Sequence, residues 1–76
     1  MVVYFELMDL STANVVGHFS TEDEALALVQ RVLTEEGADA VEDLALSRQA
    51  RDERPALIAI GRDLAERAVA RSASAA

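Results

Sequence analysis

The sequence predicts a small α/β domain of the α+β type, a two-layer sandwich of helices on an antiparallel sheet of three or four strands, in the order β-β-α-β-β-α. Three observations support this: alternating apolar side chains over residues 2–10, a capped amphipathic segment that begins at Thr21, and an apolar run at residues 57–60 that ends at Gly61. Seventy-six residues suffice for one small core. We expect a single domain at residues 1–71 and a disordered tail at residues 72–76.

The first two strands are predicted to form a hairpin. Residues 2–10 are rich in Val, Tyr and Phe, and the polar stretch "STAN" that follows suits a short connection. In the second strand, "VVGHF", the side chains of Val15, Gly17 and Phe19 share one face. Gly17 indicates a bulge or a close approach by a neighbour. In the first strand, one face carries Val3, Phe5 and Leu7, and the other carries Val2, Tyr4, Met8 and Leu10.

The segment "STEDEALALVQRVLTEEG" predicts a helix from Thr21 to Glu36. Thr21 and Glu24 have the spacing of a capping box, in which each side chain satisfies a backbone N–H of the other residue. Three acids in the first turn complement the helix dipole, and Gly37 suits the C-cap. The apolar stripe that should face the sheet consists of Ala25, Leu26, Leu28, Val29, Val32 and Leu33.

A third strand is predicted after the turn "GADA", over residues 41–48, with Leu44 and Leu46 on one face. The stretch "RQARDER" then reads as a charged loop. The run at residues 57–60 fits a fourth strand, and it also fits the opening of a helix with Pro55 in the first position. We favour the strand.

A second helix is predicted at residues 62–71, after the fourth strand. Two ion pairs at a spacing of four residues should lie on its surface, Arg62 with Glu66 and Asp63 with Arg67. Its inward side chains would be Leu64, Ala65, Ala68 and Val69.

The charge is strongly acidic and unevenly distributed. Fourteen acids and seven arginines give a net charge of −7. Residues 1–47 hold ten acids and one arginine, and residues 48–76 hold four acids and six arginines. Such a chain binds phosphate backbones poorly in general. Arg48, Arg51 and Arg54 form a candidate patch for an anion or an acidic partner, and an alternative function is a nucleic-acid-associated regulator that uses the Arg-rich C-terminal half.

The motifs of common enzymes and metal sites are missing from the sequence. There is no cysteine, no phosphate-binding glycine loop and no calcium-loop spacing, and His18 is the single imidazole. We therefore expect no catalytic, cofactor-binding or metal site, and we expect the protein not to be an enzyme. The apolar start lacks the features of a signal peptide, and no apolar run reaches membrane-spanning length, so the sequence predicts a cytoplasmic protein without membrane contact.

In the N-terminal half of this chain, the hairpin followed by "STEDEAL" resembles the core of HicB-type antitoxins, and it is also similar to short bacterial proteins of unassigned function. The resemblance covers about half of the chain, and the DNA-binding region that many HicB proteins carry after the sheet has no counterpart here. It implies a β-β-α core and no active site. The residues that carry it are Tyr4, Asp9, Asn14, Val16, Gly17, Phe19, Thr21, Glu22, Glu24, Ala25 and Leu26, with Glu6 where Leu is expected.

The first strand has two apolar faces, and the amphipathic helix can cover only one of them. The C-terminal helix offers mostly alanine, so the face with Val2, Tyr4, Met8 and Leu10 is a candidate interface. We expect a homodimer with this face at or near the two-fold axis and with the acidic half near the arginines of the other copy. The function predicted is that of a small acidic protein that works by protein–protein contact, as an antitoxin-like or regulatory subunit with a basic or toxin-like partner.

Overall fold

The structure is a computed structural model that describes the backbone of residues 3–74 and the side chains of residues 3–71. It confirms an α+β fold with a four-stranded antiparallel sheet. The element order is β-β-α-α-β-β-α, because a short helix that the sequence did not predict follows the first one. The elements are β1 (Val3–Asp9), β2 (Asn14–Phe19), α1 (Glu22–Glu36), α2 (Ala38–Val41), β3 (Leu44–Ala50), β4 (Ala56–Ile60) and α3 (Gly61–Ser74).

The strand order across the sheet is β2-β1-β3-β4, and every neighbouring pair is antiparallel. β1 and β3 therefore occupy the centre, with Leu7 opposite Leu46. Two irregularities interrupt the register, one in β2 opposite Leu7 and Met8 and one in β4 opposite Leu46 and Ser47. The first confirms the bulge that Gly17 indicated, since Val16 is the extra residue between the paired positions.

Helices α1 and α3 pack against each other and lie on the same face of the sheet. α1 contacts β1 and β2, whereas α3 contacts β3 and β4. The core forms between this helical layer and the covered sheet face, where Leu7, Leu46, Val29 and Leu64 are fully buried. No buried side chain in the described part of the chain is polar or charged. Because both long helices lie on the same face of the sheet, α3 does not cover the second face of β1.

The start of α1 confirms the predicted capping box. The backbone N–H of Glu24 donates to Thr21 Oγ1 at 3.1 Å, and the backbone N–H of Thr21 donates to Glu24 Oε1 at 3.1 Å. The predicted stripe faces the core, with Ala25, Leu26 and Val29 buried. Gly37 ends the helix at φ +94°, a conformation that favours glycine.

The prediction of a strand at residues 41–48 is partly wrong. Residues 38–41 form α2, which directs Val41 into the core with 1% of its surface exposed. An apolar residue in the last position of a one-turn helix produces the same local pattern as the first residue of a strand. β3 starts at Leu44 and continues to Ala50, so the first three residues of "RQARDER" belong to the strand and not to a loop.

The apolar run before Gly61 is a strand, as preferred, and the alternative helix that began at Pro55 is wrong. α3 starts immediately at Gly61, whose φ is +57°, and a Cβ there would lie 2.8 Å from the carbonyl oxygen of Glu42. Glycine is thus required for α3 to turn back over the sheet.

The inward face of α3 is narrower than predicted. Leu64 and Ala68 are fully buried, but Val69 is 52% exposed and points away from the core. Helix α3 continues to Ser74, so it includes the predicted beginning of the tail at residue 72, while residues 75–76 lie outside the described residues. No helix in the described part of the chain is long and apolar enough to cross a membrane.

Candidate protein interface

One face of the sheet faces away from the helices, and we call it the open face. Strand alternation and the observed pairing place its side chains in rows that run across the strands. In one row, Val15, Met8, Ala45 and Ile60 are all apolar. The open face consists of Tyr4, Glu6, Met8, Val15, His18, Ala45, Ser47, Gln49, Leu57 and Ile60.

Several large apolar side chains of the open face are in contact with solvent. Leu57 is 61% exposed, Val15 47%, Ile60 39% and Tyr4 36%. Exposed apolar residues that occur singly are normal, but a contiguous group on a flat sheet face is typical of an interaction site. The open face is therefore the candidate protein interface.

The predicted interface residues divide into three groups. Tyr4 and Met8 lie on the open face, as the alternation of β1 predicted. Leu10 lies in the turn after β1 and is 49% exposed, with its N–H bonded to the carbonyl oxygen of Asp43 at 2.8 Å. Val2 lies outside the described residues.

Sequence reasoning missed the contributions of β2 and β4 to this face. Val15 was assigned to the face of Gly17 and Phe19, but the bulge at Val16 moves it to the face of Met8. The irregularity at Ile58 in β4 likewise leaves both Leu57 and Ile60 on the open face. Gly17, next to Val16, was the available signal for the first bulge, whereas no glycine is next to Ile58.

A polar cluster occupies the β1–β2 side of the open face. His18 Nε2 and Glu6 Oε2 are 3.1 Å apart, and the rings of Tyr4 and His18 form a T-shaped contact with ring centroids 5.1 Å apart. The His18 side chain is 57% exposed and that of Glu6 is 19% exposed. Glu6 is thus the more enclosed member of the pair.

This cluster lacks the geometry of a nucleophilic site. Ser47 is the hydroxyl in the same row, but Glu6 lies between Ser47 and His18. A catalytic triad requires the imidazole between the carboxylate and the hydroxyl, so that it can take the hydroxyl proton. The Ser47 hydroxyl instead accepts a hydrogen bond from Gln49 Nε2 at 2.9 Å. Among the described residues there is no cluster of three or more His, Asp or Glu side chains suited to a metal ion.

The candidate arginine patch is divided between a strand and a loop. Arg48 lies on β3 and pairs with Glu53 at 3.1 Å. Arg51 and Arg54 are exposed in the connection between β3 and β4. The ion pair with Glu53 reduces the positive charge that this set offers to a phosphate group.

The arginines of α3 pair with acids of the same chain. Arg67 reaches Glu22 at 3.2 Å, and not Asp63 as predicted, because Glu22 stands at the start of the adjacent α1. Arg71 binds Asp23 through two hydrogen bonds of 2.7 and 2.9 Å, which lower the pKa of the Asp23 carboxyl. The contact between acids and arginines that the sequence suggested for two copies thus occurs here within one copy. The predicted pair of Arg62 and Glu66 is present at 3.8 Å.

A second exposed apolar position lies on the outer side of α3. A shallow groove of about 370 Å³ there is lined by Arg62, Ala65, Glu66, Val69 and Ala70. Its walls come from a single helix and carry two charged side chains. The open face is therefore broader and less charged than this groove.

No protein-family model, no curated protein and no solved structure matches this chain.

Proposed function

We propose that this protein acts by protein–protein contact through the open face and that its first partner there is a second copy of itself. The observation that carries the proposal is the uncovered apolar face of the sheet, where Leu57, Val15 and Ile60 remain in solvent although the helices cover the other face. Covering Leu57 alone would contribute about 1–2 kcal/mol by transfer energy.

The charge distribution permits a second copy as the occupant of the open face. Two chains of net charge −7 repel each other wherever their acidic surfaces meet. Of the fourteen acidic residues, Glu6 alone is on the open face, and His18 lies beside it. The open face is therefore the broad surface on which two copies can meet with the least repulsion.

The size of the face indicates a reversible dimer. Four strands about 4.8 Å apart and about 20 Å long present roughly 400 Å² per copy. A standard stable interface buries about 800 Å² per partner. We therefore expect a dissociation constant in the micromolar range, with dimers present at tens of micromolar.

In this proposal the protein is a small, cytoplasmic, non-enzymatic subunit of an antitoxin-like or regulatory kind. The resemblance of its first half to HicB-type antitoxins supports that kind of role. The alternative, a nucleic-acid-associated regulator, has less support because Arg31, Arg48, Arg62, Arg67 and Arg71 are engaged in ion pairs within the chain.

The decisive experiment measures the oligomeric state of three proteins by sedimentation at tens of micromolar. We expect the wild type to be a dimer and Leu57→Glu to be a monomer, since a charge would then be buried in the interface. Val69→Glu is the matched control, because it places the same charge at an apolar position of similar exposure on the outer side of α3. Moderate salt should change the dimer only slightly.

Two results would contradict the proposal. A wild type that is monomeric at tens of micromolar at every pH from about 6 to about 8.5 would exclude self-association as its basis. Dissociation by Val69→Glu but not by Leu57→Glu would move the interface to the groove on α3. Circular dichroism of each variant separates dissociation from unfolding, and both substituted positions are more than half exposed.

A further inference from the structure

The only carboxylate of the open face lies near its centre. Glu6 is on the central strand β1, in the same row as His18 on β2 and as Ser47 and Leu57 on β3 and β4. The other side chains that β3 and β4 contribute to this face are Ala45, Gln49 and Ile60, and none of these ionises. Besides Glu6 and His18, the titratable group of the described open face is Tyr4.

A second copy on this face would remove the remaining water from Glu6. The carboxylate already has only 19% of its side chain exposed. If the imidazole of His18 is neutral, it donates one hydrogen bond to Glu6, but the carboxylate leaves the pair with one full negative charge. If the pair holds one more proton, its net charge is zero. The proton is then either on His18, which forms an ion pair with Glu6, or on Glu6, which becomes a neutral acid beside a neutral ring. Burying an uncompensated charge is far less favourable than burying a neutral pair.

We propose that dimerisation through the open face takes up one proton at the Glu6–His18 pair of each copy, so that the dimer forms preferentially at mildly acidic pH. This inference rests on the proposed function, because it specifies how the same interface is regulated.

The sign of the pH effect follows from linkage. A proton that binds the dimer more tightly than the monomer shifts the equilibrium toward the dimer. Ordinary imidazoles lose their proton between about pH 5 and pH 8. Above that range the free chains must take up protons to associate. With two protons taken up per dimer, the dissociation constant rises by up to about 100-fold for each unit of increase in pH.

The test measures the dimer dissociation constant by sedimentation equilibrium from about pH 6 to about pH 8.5 at constant ionic strength. For the wild type we expect at least a tenfold increase in the dissociation constant over this range. Glu6→Gln retains the shape of the side chain and a hydrogen-bond acceptor for His18 but removes the charge. We expect its dimer to be nearly independent of pH and tighter than the wild type at pH 8.5.

Two further variants isolate the pair from general charge effects. Glu6→Gln also lowers the net negative charge by one, and Glu66→Gln controls for this, because it removes one carboxylate from the exposed surface of α3. We expect Glu66→Gln to keep the pH dependence of the wild type. His18→Gln removes one of the two groups that can hold the added proton, so its dimer at about pH 6.5 should be weaker than that of the wild type at the same pH.

The outcomes separate this inference from the function on which it rests. A wild-type dimer whose dissociation constant does not change with pH would overturn proton uptake and leave the open-face dimer standing. Glu6→Gln with the pH dependence of the wild type would have the same meaning. If neither the wild type nor Glu6→Gln associates at tens of micromolar at any pH tested, both the inference and the proposed function are wrong.

Discussion

The capping box at the start of α1 gives the sharpest test of how the local sequence stabilises this fold. Thr21 Oγ1 accepts the backbone N–H of Glu24 at 3.1 Å, and Glu24 returns the contact to the backbone N–H of Thr21. Thr21→Ala removes the hydroxyl and leaves the backbone N–H of Glu24 without its protein partner. It also releases the Glu24 side chain, whose Oε1 accepts a hydrogen bond from the Thr21 hydroxyl at 3.2 Å.

The expected loss is about 1 kcal/mol in the free energy of unfolding. Thr21 and Glu24 are both exposed, so water can bond the freed N–H group. This places the cost below the ~2 kcal/mol found for the strongest caps. For a domain of this size, 1 kcal/mol corresponds to a decrease of about 4–8 °C in the melting temperature.

The measurement is urea denaturation followed by circular dichroism, with all variants at one protein concentration, since self-association would otherwise shift the midpoint. Ser20→Ala is the matched control. It removes a neighbouring exposed hydroxyl that is not the cap, so its midpoint should stay within about 0.5 kcal/mol of the wild type. Thr21→Ser, which keeps an acceptor oxygen, should retain most of the stability.

An unchanged midpoint for Thr21→Ala would contradict this reasoning. A larger loss for Ser20→Ala would show that the helix begins one residue earlier and that Ser20 is the cap. A double substitution of Thr21 and Glu24 tests the reciprocity of the box. If the two contacts act together, its cost should be smaller than the sum of the two single losses.

Two further predictions concern α3 and its contact with α1. Gly61→Ala should destabilise the fold by about 1–3 kcal/mol in the same denaturation assay. The reason is that φ at Gly61 is positive and the new Cβ would lie 2.8 Å from the Glu42 carbonyl oxygen. An unchanged midpoint would refute the steric argument. Because the hydrogen bonds from Arg71 lower the folded-state pKa of Asp23 below the ordinary 3.8, the ion pair stabilises the fold above that pH and its contribution is lost as pH falls through the lowered pKa. Acid titration followed by circular dichroism should therefore show a smaller loss of stability between about pH 4 and pH 2 for Asp23→Asn than for the wild type. Asp52→Asn, in an exposed loop, is the control. An identical loss for Asp23→Asn and the wild type would contradict this role of the ion pair.

The local elements with strong sequence signals were predicted correctly. Helix α1 combines a capping box, an acidic first turn, an apolar stripe and a terminal Gly37, and the structure shows each of them. The residues of β1 alternate between a buried and an open side, as predicted. These features depend on neighbours within a few positions along the chain, so the sequence itself contains the information.

The features that were missed depend on contacts between distant parts of the chain. The faces of Val15, Leu57 and Ile60 depend on bulges, and a bulge forms where two paired strands must adjust their register to each other. The partner of Arg67 was predicted within its own helix, but packing of α3 on α1 brings Glu22 nearer.

The sequence by itself determined that β1 has two apolar faces and that one amphipathic helix cannot cover both. It did not determine where the last helix would go, since a helix with Leu64 and Ala68 inward can pack on either face of a sheet. The tertiary structure decided this. α3 follows β4 without a connecting loop, and the positive φ of Gly61 turns the helix onto the side of the sheet where α1 lies. On that side, Arg67 and Arg71 form ion pairs with the acids of the first turn of α1. Both helices thus share one face, and no element of the described chain covers the open face.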